Sequence, residues 1–277
     1  MFELPEVETL RRDLEREIVG KKIKTVEAES MKLLRRYNNR KAFTSQLEGS
    51  KITSVGRAGL LITIGIDDDT LLVVDLGDTV SLRRAANRDP VEPGTEVVIA
   101  FTQHGQLRII DPEGTGELFV VDRDALVDEV PSIDELGFDP IEEPIPGRVF
   151  AAQLYARGEK LKTLLTDPTF VVGIGDIYAD EILFHAGLRH DRRSDTLSVQ
   201  EVRRLHRALV GTIHDAVKYR GTSVPERPFV DIFGKEGSYG DHLEVWGRAG
   251  ELSSRSRAPI RRVKFGGSWT YYCDTQV

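Results

Sequence analysis

Cysteine is nearly missing from this chain. Cys273 is the only one in 277 residues, so no internal disulfide can form. Long apolar runs are missing too. None approaches the roughly 20 residues of a membrane-spanning helix, which argues against a membrane protein. Nothing reads as a signal peptide, because Glu3 and Glu6 stand among the first six residues. The expectation from these absences is a cytoplasmic protein. An excess of positive charge is also lacking. The net charge is −7, the wrong sign for a generic nucleic-acid binder. No internal repeat and no low-complexity segment is present.

The charge that is there is uneven. Residues 1–150 carry 19 Lys and Arg against 29 Asp and Glu, and residues 151–277 carry 19 against 16. The first half is near −10 and the second near +3, which points to two domains with different surfaces.

The hydrophobic pattern changes along the chain in the same way. Val7, Leu10, Leu14 and Ile18 recur at spacings of three and four, which predicts a helix over 5–19 with Pro5 in its first turn and Gly20 at its stop. From about 22 to 122 the runs are rich in Val, Ile, Leu and Thr, punctuated by Gly, Asp and Pro, as in "KITSVGRAGLLITIGI" and "TLLVVDLG". His104-Gly105 lies between two such runs and reads as a hairpin turn. This part is an antiparallel sandwich or barrel behind one helix. Residues 131–148, rich in Pro, Glu and Asp, read as a linker. Beyond it the period is helical. Leu154, Leu161, Leu164 and Leu165 mark one helix, and Ile177, Ile182 and Leu183 a second. The Ser198–Glu201 capping box opens a third, lined by Val202, Leu205, Leu209 and Ile213, with Gly221 as its C-cap. The chain closes on a hairpin.

Four constellations could carry chemistry. "GIGDIY" (173–178) reads either as a phosphate cradle or as a tight turn between helices. Without a third glycine or a preceding strand it is no dinucleotide fold. The six histidines are scattered and have no metal-ligand spacing beside Cys273. The acid-free stretch 253–264 carries Arg255, Arg257, Arg261, Arg262 and Lys264 ahead of Trp269, Tyr271 and Tyr272. It is either a nucleic-acid strip or a solvated hairpin face over a small aromatic core. Glu3 and Glu6 suit the positive end of the first helix.

Together these pieces resemble the formamidopyrimidine-DNA glycosylase and endonuclease VIII family of base-excision repair. "ELPEVETLRRDL", "GIGDIYADEILFHAGL", "YRGTS" and "VWGRAG" carry the resemblance, in order and over essentially the whole chain. It implies an α+β protein. An N-terminal β-sandwich flanked by helices spans 1–130, a linker 131–148, a helix–two-turns–helix domain 149–230 and a finger-like hairpin 231–277. It also implies a mechanism in which an N-terminal proline amine attacks the sugar of a flipped nucleotide, an imine forms and the strand is cut.

The departures fall on the chemistry. Phe2 stands where the resemblance expects that proline, and it should block removal of Met1. The Met1 amine is then the substitute nucleophile, one residue out of place, where near-attack geometry fails. Glu3, the proton-transfer acid, is kept. Leu60 stands where the family pattern has a catalytic lysine. Asp75 replaces a histidine. Asp78 replaces a wedging methionine, Glu113 an arginine and Thr115 an aromatic. Glu96 falls in another DNA-facing segment. Asp176 replaces the signature asparagine, and Ser268 the arginine of the finger. Lys162 and Tyr178 are retained. Arg35, Arg36, Arg261 and Arg262 are basic residues near contact segments. The four zinc-ligand positions read Ser253, Ser256, Cys273 and Gln276, so no metal or other cofactor is expected.

Carboxylates at 75, 78, 96, 113 and 176 would face a polyanion, so DNA binding should be weakened. The expectation is a monomeric family member without normal base excision or abasic-site cleavage, with DNA, a protein or a small ligand as its partner. The alternative is an active or damage-sensing repair protein that works through a displaced amine. A third reading pairs Glu3 with Asp75 or Asp78 as an acid and base of some other reaction.

Overall fold

The structure, a computed structural model, describes residues 2–143 and 145–277. The chain divides into two compact units. The first comprises Met1–Asp134 with Arg220–Gly237, and the second Glu135–Tyr219 with Ser238–Val277.

In the first unit, α1 (Leu4–Ile18) presents Val7, Leu10, Leu14 and Ile18 to the core, as their spacing requires. It is followed by β1 (Ile23–Ala28), α2 (Arg40–Thr44), β2 (Ile52–Ala58), β3 (Leu61–Ile66), β4 (Thr70–Asp75), β5 (Ser81–Ala85), β6 (Thr95–Phe101), β7 (Gln106–Ile110), β8 (Glu117–Asp122) and the short α3 (Leu126–Glu129). Two four-stranded antiparallel sheets form, β1-β6-β7-β5 and β2-β3-β4-β8. Val97, Ile99, Leu107 and Ile109 from one sheet meet Ile62, Ile64, Leu72 and Val74 from the other in one core, so the architecture is a sandwich. The outer face of the second sheet is covered as well. Leu71, Val73, Phe119 and Val121 pack with Tyr37, Leu61 and Leu126. That second cover explains why β4 reads as an unbroken apolar run rather than an alternating one.

The turn at His104-Gly105 forms as expected, with both residues at positive φ (64° and 84°) between β6 and β7. The run 51–66 is broken into β2 and β3 by a tight turn at Gly59 (φ 62°) and Leu60. Arg57 holds this turn. It donates to the Gly59 carbonyl at 2.8 Å and to the Glu8 carboxylate of α1 at 3.3 Å. Burial works to raise the Glu8 pKa. Hydrogen bonds from Arg11 and Arg12 and the charge of Arg57 outweigh it and hold the carboxyl below its ordinary value.

The second unit contains α4 (Gly147–Arg157), α5 (Leu161–Leu165), α6 (Asp176–Ala186), α7 (Val199–Lys218) and the hairpin β9 (Arg261–Phe265)–β10 (Ser268–Tyr272). The leucines at 154 and 161–165 belong to two helices, not one, because Gly158 takes the left-handed conformation (φ 60°) and ends α4. The α7 capping box forms, with the Ser198 N–H donating to Glu201 at 2.7 Å. Its other end differs from expectation. The helix stops at Lys218, and Arg220 takes positive φ one residue before Gly221.

The sequence reading kept 149–230 together as one domain, whereas Arg220–Gly237 counts with the sandwich. Arg220 pairs with Asp13 of α1 and with Asp231. The Thr222 N–H donates to Glu6 at 2.7 Å, and Phe229 and Ile232 enter the sandwich core.

Candidate functional site

The turn after β2, the start of α1 and the loops after β4 and β7 converge on one pocket of about 270 Å³. Phe2, Val7, Leu60 and Leu76 form its apolar walls, and Asp75, Asp78 and Thr115 its polar edge. The two positions at which the resemblance expects amines therefore lie on the walls of one cavity, and both carry hydrocarbon. Phe2 is held from behind by Phe229, whose ring meets it edge-on at 6.0 Å. Leu60 packs on the sandwich core.

The acidic edge is built rather than loose. The Asp75 carboxylate accepts from the Gly77 N–H at 2.9 Å. The Thr115 hydroxyl accepts from the N–H groups of Asp78 (3.1 Å) and Thr79 (3.2 Å). The Thr79 hydroxyl donates to buried Asp111 at 2.6 Å, and Asp111 also takes the Gly116 N–H at 2.9 Å. Thr115 thus knits the two loops together where the family pattern has an aromatic.

Glu3 does not line this pocket. It caps α1, its N–H donates to Glu6 at 3.1 Å, and its carboxylate accepts from Arg227 at 3.4 Å. Met1, the substitute nucleophile named from the sequence, lies outside the described residues. Glu113 is exposed on the same loop as Thr115. Glu96 does not face solvent as a bare charge. It is buried, accepts from Ser30 and pairs with Lys32 at 3.1 Å. Arg35 donates to the Gly114 carbonyl at 2.6 Å. Arg36 pairs with Glu117 and Glu129 and lies 3.6 Å over the Phe119 ring.

The second cluster lies in the helical unit. Lys162, a phosphate contact in the family pattern, is only 2% exposed. Its ammonium sits 2.8 Å from Asp180, 3.2 Å from Asp176 and 3.3 Å from the Trp269 carbonyl. Burial pushes the Asp180 pKa up to about 7, against the opposing pull of Lys162. The Ser268 hydroxyl donates to Asp176 at 2.8 Å. Tyr178 is the other retained contact position of the family pattern. Its side chain is 0% exposed, with its ring 5.7 Å from that of Tyr239. On the hairpin, Arg261 pairs with Asp274 at 2.8 Å. Arg262 and Lys264 lie 4.3 and 4.5 Å over the exposed Trp269 ring.

Two residues that the sequence reading passed over hold this unit together. Asp180 accepts from the Tyr271 N–H of β10 at 2.8 Å. Glu181, fully buried, accepts from the N–H groups of Glu244 (2.9 Å), Val245 (3.0 Å) and Trp246 (2.9 Å). The available signal was two adjacent acids inside the otherwise apolar "IYADEILF", since buried charge must find partners.

The four positions at which the resemblance places zinc ligands do not fit that metal. Cysteine and histidine ligands are the usual set, and here there is one thiol, two hydroxyls and an amide. The Cys273 sulfur lies 2.9 Å from the Thr275 hydroxyl. Gln276 accepts from the Cys273 N–H at 2.8 Å and donates to the Leu188 carbonyl at 2.9 Å. Ser253 and Ser256 accept from the N–H groups of Arg255 and Ala258.

Comparison with known proteins agrees with this anatomy. The family model described as the formamidopyrimidine-DNA glycosylase N-terminal domain matches residues 1–118, and the one described as the formamidopyrimidine-DNA glycosylase H2TH domain matches 136–227. The formamidopyrimidine-DNA glycosylase of Pelotomaculum thermopropionicum is 36% identical over 275 residues, covering 99% of this chain and 98% of the relative. That of Geobacillus kaustophilus is 35% identical over 273 residues, with the same coverage. Among solved structures, a complex between the Lactococcus lactis Fpg and abasic-site-containing DNA is similar with a TM-score of 0.87. Its identity is 29%, over 98% of this chain and 97% of that one. Sandwich, helical unit and closing hairpin together define a DNA-glycosylase scaffold. The chain belongs to the formamidopyrimidine-DNA glycosylase family. Among the described residues no helix is long and apolar enough to cross a membrane.

Proposed function

We propose that this protein is a non-catalytic member of its family, without base excision or abasic-site cleavage and with weakened affinity for DNA. The observation that carries the proposal is the pairing of Phe2 and Leu60 on the walls of one pocket. Imine formation needs an unprotonated amine beside the sugar carbon, and among the described residues the pocket's lining contains neither lysine nor proline. Weakened binding follows from the second cluster. The Lys162 ammonium already pairs with Asp176 at 3.2 Å and with Asp180 at 2.8 Å, and a phosphate approaching Asp176 meets like charge. The finger, with one thiol among its four former ligand positions, folds without zinc and is held by hydrogen bonds.

A second reading keeps DNA as the partner and drops only the chemistry. The face that carries Arg262, Lys264 and Trp269 favours it, because cations around an exposed aromatic suit a nucleic-acid strand. Binding to a duplex bearing a tetrahydrofuran abasic analogue, compared with intact duplex at two salt concentrations, separates the two. Weak, site-indifferent binding agrees with the first reading. Tight, site-selective and salt-sensitive binding replaces it with the second.

A further inference from the structure

A further concavity is far in character from either cluster. It is a groove of about 780 Å³ between α4 and α7, wholly within the helical unit. On α7, Val199, Arg203, His206 and Val210 follow one another at steps of four, three and four, one stripe of a helix. On α4, Gly147, Ala151 and Tyr155 form the facing stripe at steps of four. The floor is apolar and open to solvent. Val199 is 61% exposed, Val210 38% and Tyr155 37%. The walls are fixed in place. The Tyr155 hydroxyl donates to the Leu197 carbonyl at 2.9 Å, His206 bonds the Ile145 carbonyl at 3.0 Å, and its ring lies 4.9 Å from that of Phe150.

Two further features say what fits there. Arg148, Arg203 and Arg207 rim the groove, all exposed, and none makes an ion pair among the described residues. Among the described residues no carboxylate lines it. Gly211 lies in the body of α7, at the groove, with nothing within 4 Å of where a Cβ would be. A glycine inside a helix weakens it, and no neighbour in this chain requires one there. A second backbone lying close against α7 would.

We propose that this groove binds an acidic amphipathic helix of a partner protein. The partner helix lays leucine-like side chains on the Ala151–Tyr155–Val199–Val210 floor, passes closest to α7 at Gly211, and places Glu or Asp on its flanks against the three arginines. From residue 199 to 211 the α7 wall is about 18 Å long, enough for roughly three turns of such a helix. The proposal does not depend on the fate of the sandwich pocket.

The test uses the full chain and two designed peptides of about 18 residues. Both have leucines at helical i, i+3, i+4 and i+7 spacing. One has glutamate flanks and the other lysine flanks. Fluorescence anisotropy should show binding of the glutamate peptide, weakening with salt, and at least tenfold weaker binding of the lysine peptide. Arg203→Glu/Arg207→Glu should reverse that preference. Gly211→Leu should abolish binding while leaving thermal unfolding intact, and Gly211→Ala should raise the melting temperature yet weaken binding. A merely structural Gly211 would not separate those two readouts. Equal binding of both peptides, or of neither, overturns the proposal. So does an effect of these variants on a 20-base-pair duplex in place of the peptide, which would make the face a nucleic-acid surface.

Discussion

The Ser268 hydroxyl donates to the Asp176 carboxylate at 2.8 Å, and the family resemblance places DNA-contacting side chains, the signature asparagine and the finger arginine, at these two positions. The two substitutions satisfy each other. Lys162 lies 3.2 Å from the same carboxylate oxygen. On the proposed reading, carboxylate and DNA phosphate compete for one ammonium, and the carboxylate is covalently present.

Reversing the pair should therefore restore affinity. Asp176→Asn with Ser268→Arg is expected to tighten binding to an abasic-analogue duplex by about tenfold or more and to steepen the salt dependence by about one unit per phosphate contact regained. Anisotropy titrations across a salt series check this. Unchanged slopes would show that these positions do not meet phosphate.

Glu181 holds three successive backbone N–H groups while fully buried. Its truncation leaves those donors without an acceptor. Glu181→Ala is expected to cost about 3 kcal/mol, read as a large drop in melting temperature with the sandwich unit less affected. A loss below about 0.5 kcal/mol would mean that the 244–246 turn does not depend on this anchor.

The Asp180 carboxyl, raised from 3.8 to about 7, makes stability depend on pH. The folded state holds a proton that the unfolded chain releases. Its contribution is complete below about pH 4 and is lost as pH rises through about 7. The helical unit should melt lower at pH 8 than at pH 5, and Asp180→Asn should lose less over the same window. Parallel pH profiles for the two proteins would contradict this.

Chelation bears on the finger. With Gln276 accepting from the Cys273 N–H and donating to the Leu188 carbonyl, excess EDTA should leave the melting temperature unchanged. Metal analysis of the purified protein should return no stoichiometric zinc. A drop on chelation would place a metal in the hairpin despite its donor set.

Local rules made much of the scaffold legible. The spacing of Val7, Leu10, Leu14 and Ile18 gave α1 its buried face, and Ser198 with Glu201 marked the start of α7. His104-Gly105 and the closing hairpin followed from turn chemistry. The motif resemblance supplied which positions matter, and the structure brought Phe2, Leu60, Asp75, Asp78 and Thr115 to one pocket. Burial was not legible. A motif carries residue type from one protein to another, but not the partners that other substitutions create. Lys162 and Tyr178 match the family's contact positions by residue type, and their side chains are interior. The return of Arg220–Gly237 to the sandwich was hidden for a related reason. It rests on Arg220 with Asp13 and Thr222 with Glu6, contacts across more than 200 residues that no local period reports.

The most direct measurement is borohydride trapping. The protein is incubated with a duplex containing an abasic site, reduced, and examined for a covalent adduct, with a catalytically competent formamidopyrimidine-DNA glycosylase alongside. The account predicts no adduct for the wild-type chain under conditions that trap the control fully, because Phe2 and Leu60 put hydrocarbon at the two pocket positions where the family resemblance expects amines. A trapped adduct together with strand scission would contradict it and establish that an amine reaches the sugar by another route.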